Sequence, residues 1–205
     1  MTPLQAFGRV IEANRCIQGM LRKDPALTGD RKAGIEGVVD EKTLTKIEVG
    51  SRAISNSFVL RFADVAVVPD VRNDFRLAHG DFVWGHTYRW NDDQMPRERG
   101  DCEQCLRDFK GDYAFAHGRA REAALSLFIV ALFQTEFSDL QVQAMLELAH
   151  WRMVANKVDL ALKTVEVAGS IARRHREDLG FAEHLIRRAT YLRMKPGADS
   201  RSTLL

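Results

Sequence analysis

Cys102-x-x-Cys105 is the most site-like pair in the chain. With His79 and His86 upstream, or His117 downstream, it makes up a four-ligand set of the kind zinc takes, because thiolate and imidazole both suit that ion. The histidine spacing is not that of a known finger, however, and the cysteines fall where a helix begins, a setting in which packed thiols are common. Two structural cysteines, with no metal and no cofactor, are the expectation. The six histidines, His79, His86, His117, His150, His175 and His184, are scattered, and their local spacing suggests no Ser/His/Asp or Cys/His set. The sequence holds no phosphate loop, no H-E-x-x-H and no G-x-S-x-G. Catalytic partners can be distant in sequence, so enzymatic activity stays open while the balance points away from it.

The second candidate chemistry is electrostatic. Arg173, Arg174, His175 and Arg176 form a dense basic run that Arg187, Arg188 and Arg193 extend, a set that could contact phosphates. A plainer account also covers them: cations near a helix C-terminus complement its dipole, and Glu183 stands four residues before Arg187. Whole-molecule charge adds nothing, since 30 basic residues against 28 acidic ones leave a formal net charge of +2. No turn-preceded recognition helix stands out.

These residues must be positioned by helices. Thr2-Pro3 is a helix start, and Leu4, Phe7, Ile11, Ile17, Met20 and Leu21 fall mostly on one face until Asp24-Pro25. Residues 24–50, with Gly29, Gly34, Gly37 and Gly50, read as loop with a short strand at Leu44 to Val49. Over 52–68 both helix and strand periods fit, and the length of the run before Pro69 favours helix. The stretch 69–101 reads as a long, partly ordered connection, with Trp84, Tyr88 and Trp90 as an aromatic lid over the helical half. From Asp101 to Met194 the pattern gives helices at about 102–117, 119–135, 138–154, 157–174 and 177–194, joined by short breaks and therefore antiparallel. The helix at 119–135 is apolar nearly all round and has to be covered on several sides. The fold class expected is mainly α. Residues 1–100 form a helical and irregular half docked on a hairpin stack at 101–205, which ends in a short disordered tail.

The hairpins resemble tetratricopeptide repeats. The residues that carry the likeness are Met145, Leu148, Ala149 and Arg152 on one helix, Asn156 at the turn, and Ala161, Val165 and Ala168 on the next. Before them come Gly118, Ala124, Phe128 and Ala131 at matching spacing. Arg152 stands where an aromatic is expected, no proline closes either unit, and the hairpins are spaced a few residues longer than the usual repeat of about 34. A closely packed helical bundle uses alanine in the same way, so both architectures satisfy the pattern. The resemblance implies a concave face carrying Gln143, Leu146, His150 and Met153, on which such repeats bind peptides.

The function expected is non-enzymatic protein binding, by an adaptor, regulator or inhibitor acting through a helical surface. The alternative is a helical nucleic-acid-binding protein using Arg173, Arg174, Arg176, Arg187 and Arg188. The first twenty residues lack a secretory pattern, the odd number of cysteines argues for a reduced compartment, and the longest apolar run, Ala123 to Phe133, falls short of a membrane span. A cytoplasmic setting without membrane contact is the corresponding expectation.

Overall fold

A computed structural model describes residues 1–29, 36–67, 69–85, 97–111 and 119–194. Its regular structure is helical, and among the described residues there is no strand. The helices are α1 (Pro3–Ile17), α2 (Pro25–Thr28), α3 (Glu41–Glu48), α4 (Asn56–Ala66), α5 (Arg72–Val83), α6 (Arg99–Lys110), α7 (Arg119–Phe133), α8 (Ser138–Val154), α9 (Val158–His175) and α10 (Asp178–Met194). No helix among them is long and apolar enough to cross a membrane.

The start of α1 follows from its sequence: the Thr2 hydroxyl accepts from the Gln5 amide at 3.2 Å while the Gln5 side chain accepts from the Thr2 amide at 2.9 Å. That reciprocal pair satisfies two amides that would otherwise lack partners. Helix α1 is buried along nearly its whole length from Ala6. It packs against α3, α5, α7 and α9 and so lies at the centre of the molecule. The helix α7, apolar all round in sequence, is covered by α1 and α8 and by the short 3-10 turn Pro69–Val71.

Two expectations for the N-terminal half are corrected. The segment proposed as a strand, Leu44 to Val49, belongs to α3: Asp40 caps its first turn by accepting from the Thr43 amide at 2.9 Å, and Leu44 and Ile47, three apart, go into the core. The segment read as a connection contains α5, whose Phe75 and Phe82 pack on Phe7 with ring centroids 5.6 and 5.1 Å apart. Trp84 is 80% exposed and seals nothing. Tyr88 and Trp90 lie outside the described residues, as does the tail beyond Met194.

In the C-terminal half the consecutive helices α7, α8, α9 and α10 pack each on the next. Phe128, Met145, Leu148, Ala149, Ala161, Val165 and Ala168 are all fully buried. Asn156 takes a left-handed backbone, φ 58°, at the turn between α8 and α9. Arg152 is buried too, and its guanidinium donates to Glu122 on α7 at 2.8 Å, to Thr164 on α9 at 2.6 Å, and to the Ile17 carbonyl at the end of α1 at 2.6 Å. A single hydrophobic core runs through both halves of the chain.

Phe128 shows no exposed surface and stacks on Phe109 at 5.5 Å. Phe128→Ala should therefore lower the unfolding free energy by about 3–5 kcal/mol. Urea titration of both proteins measures the difference. A change under about 1 kcal/mol would contradict the packing described here.

Candidate functional site

The sequence-derived partner face is broken up by the fold. Leu146 is fully buried, and its carbonyl accepts from Arg187 at 2.8 Å. Gln143 is half-buried and accepts from Lys110 at 3.2 Å, Met153 is half-buried, and His150 is exposed with its ring edge-on to Trp151. Of the four, then, Leu146 has no side-chain surface to offer a partner.

The basic set is largely engaged within the protein. Arg174 donates to Glu12 at 2.5 Å, Arg187 to Glu183 at 2.6 Å and Arg188 to Glu166 at 2.7 Å, while Arg173 lies 5.6 Å from the Phe181 ring. Arg176 closes α9 in a left-handed conformation, φ 59°. The cysteine pair sits on α6, with Cys102 buried and Cys105 half-buried. Burial pushes both thiols up, Cys105 to about 11, the opposite of an activated nucleophile. No group of three or more His, Cys, Asp or Glu side chains among the described residues is arranged to hold a metal, and His86 and His117 lie outside those residues.

A different constellation has the most concentrated chemistry. Glu12, in the middle of α1, is 1% exposed, and Glu48, the last residue of α3, is 0% exposed. They come together because Gly8 lets α1 cross the end of α3 closely: a Cβ there would stand 2.5 Å from the Ile47 carbonyl oxygen. Arg15 donates to Glu48 through Nε at 2.6 Å and to the Met20 carbonyl at 2.5 Å. Arg22 bridges the two carboxylates, at 2.5 Å to Glu48 and 3.1 Å to Glu12. Glu12 also accepts from Arg9 at 2.9 Å and from Arg174 of α9 at 2.5 Å. Two buried carboxylates are thus met by four guanidiniums. Burial by itself would raise the Glu12 pKa, but Arg174, Arg15 and Arg22 outweigh it and hold the carboxyl below its ordinary value of 4.5.

Above this cluster lies a cleft of about 260 Å³, walled by α9 on one side and by the end of α1, the residues Leu21 to Lys23 and Glu41 on the other. The chain reaches that position by reversing at Gly19, φ +69°, where a Cβ would meet the Cβ of Lys163 at 2.7 Å. Arg15, Arg22, Lys23, Arg173 and Arg174 line the cleft, with Ser170 between them. Cys16 borders it as well, but complete burial pushes that thiol to about 12. The arrangement can hold charge.

Sequence reasoning marked Arg173 and Arg174 but missed Glu12, Arg15, Arg22 and Glu48. The available signal was Glu12, Asn14 and Arg15 interrupting the apolar face of α1. No protein family, curated protein or solved structure matches this chain.

Because the Glu12 pKa is lower in the folded state than in the unfolded one, its contribution to stability is present above the ordinary value of 4.5 and is lost as pH falls through the folded pKa. Glu12→Gln should be less stable at pH 6 and show a shallower loss between about pH 5 and pH 3. Urea titrations across that range measure both. Parallel profiles for wild type and variant would show that Glu12 is not paired in the folded protein.

Proposed function

We propose that this protein is a non-catalytic binding protein, an adaptor or inhibitor whose working surface is the outer face of α10. We read α7 to α10 as a stack of hairpins resembling tetratricopeptide repeats, with α10 as its last helix.

The observation that carries the reading is the apolar surface left uncovered on α10. His184 and Tyr191, seven residues apart, turn inward and are buried. On the other side Leu185 is 49% exposed, Ile186 67%, and Leu192 40%, with Leu179 and Met194 open at the two ends. Ala182, Leu185, Ile186 and Ala189 recur at helical spacing, so they make one stripe. Terminal units of helical stacks ordinarily present a polar outer face to keep the array soluble. An apolar stripe at that position marks an interaction surface. Its shape suits an amphipathic helix laid alongside, and Arg193, exposed on the same helix, favours acidic flanks on that helix.

The test is site-specific photo-crosslinking in the native cell. A benzophenone residue replacing Ile186 should give an adduct of defined mass with a different protein. Adding Leu185→Asp should abolish it without changing the Tm, since both side chains are exposed. The same probe at exposed Lys42 should give no such adduct. Loss of the reading would follow from no adduct at 186, from adducts shared with position 42, or from an adduct of twice the chain mass only.

A further inference from the structure

The cleft over the Glu12–Glu48 cluster has more positive charge than the fold needs. Arg9, Arg15, Arg22 and Arg174 already satisfy both buried carboxylates. Lys23 and Arg173 line the same cleft, and neither makes an ion pair among the described residues. Two further carboxylates stand at its rim, Glu41 and Glu166, and Glu166 is taken by Arg188 at 2.7 Å. Five cations, Arg15, Arg22, Lys23, Arg173 and Arg174, therefore line the cleft against two carboxylates, Glu41 and Glu166. Like charges gathered in a partly desolvated space repel strongly, and an incoming anion relieves that repulsion while collecting charge-assisted hydrogen bonds.

The cleft does not end at its cations. A wider groove of about 570 Å³ adjoins it and shares Leu21, Lys23 and Glu166. Gly19, Leu21, Pro25 and Leu162 give this groove its apolar lining, and Asp24, Asp159 and Lys163 border it as well. One face of α9 serves both spaces: Leu162, Glu166, Ser170 and Arg173 follow each other at helical spacing. A charged socket continuous with an apolar trough is the form of a site for an amphiphilic small molecule.

We infer that this cleft binds a small phosphomonoester with an apolar body, the phosphate among Lys23, Arg22, Arg173 and Arg174, and the apolar part along Leu21 and Leu162. The doubly charged ester matches a surplus of more than one positive charge. The Ser170 hydroxyl is placed to donate to a phosphate oxygen.

Titration calorimetry of the full chain with 1-naphthyl phosphate, inorganic phosphate and 1-naphthol tests the assignment. Naphthyl phosphate should saturate one site per chain and bind at least about tenfold tighter than inorganic phosphate, and 1-naphthol should show no saturable binding at the same concentrations. In the double variant Lys23→Ala, Arg173→Ala the affinity should fall by about tenfold or more. Both side chains are exposed, so far-UV circular dichroism and Tm should be unchanged. Leu162→Ser should weaken naphthyl phosphate and leave inorganic phosphate unaffected, whereas Arg107→Ala on α6 should alter neither. Absence of saturable binding overturns the proposal, as does wild-type affinity in the double variant. Naphthol binding as tightly as its phosphate ester also overturns it, by showing that charge is not what the cleft reads.

Discussion

The guanidinium of Arg152 is the contact on which the arrangement of this chain depends. It is 1% exposed and ties its own helix to three others, donating to Glu122, to Thr164 and to the carbonyl of Ile17. The last carbonyls of a helix have no partner within it, so the end of α1 is completed by a residue 135 positions later. Burial opposes the charge on Arg152, and Glu122 offsets that cost. Leucine in the same volume could fill the space with α1 shifted along its axis by a turn. A guanidinium cannot, because its donors must meet a carboxylate, a hydroxyl and a carbonyl together. Arg152 is therefore one of the residues that fix the N-terminal helix on the helices of the C-terminal half.

The same logic operates at the opposite side of α1. Glu12 and Arg15 face outward from the apolar core of that helix toward α3 and α9, where Glu48, Arg22 and Arg174 meet them. Helix α1 is thus held by apolar packing along its length and by charge at two points. The apolar surface makes it buried, and the ionic contacts decide its register. This is why α1, rather than the more hydrophobic α7, occupies the middle of the molecule.

The bounds of α7 to α10 were legible in the sequence because long amphipathic runs with short breaks leave few alternatives, and Asn156 takes the left-handed turn that its position suggested. Helices α3 and α5 were not. In α3 only Leu44 and Ile47 are buried apolar residues, too few to distinguish a period of 3.6 from a period of 2. In α5 the charges and Gly80 mask an apolar side that Phe75 and Ala78 complete only against Phe7. The ionic cluster was illegible for a different reason. The pairs that join its separate elements are 26 to 162 residues apart, beside local pairs of Glu12 with Arg9 and Arg22, and nothing local in Glu48 or Arg22 announces the other. Arg173 and Arg174 were singled out as a run of like charge, yet the fold separates their roles: Arg174 closes a buried cluster while Arg173 borders the cleft.

The contrast between engaged and unengaged groups separates scaffold from surface throughout the molecule. Arg15 and Arg152 are buried with their donors directed at named acceptors. Lys23 and Arg173 line a cleft without a carboxylate of their own. Leu185 and Ile186 repeat the pattern in apolar form, since the helix that carries them buries His184 and Tyr191 instead. Between the cleft and the α10 face run the contact of Arg173 with the Phe181 ring and the Glu166–Arg188 pair, in which both side chains are nearly half exposed, at 47% and 46%. A pair so exposed contributes at most about 1 kcal/mol. By itself that pair could couple the two faces by no more than roughly fivefold. Any stronger link between the two faces would have to run through the packing of α9 on α10, where the Arg173 guanidinium stands over the Phe181 ring.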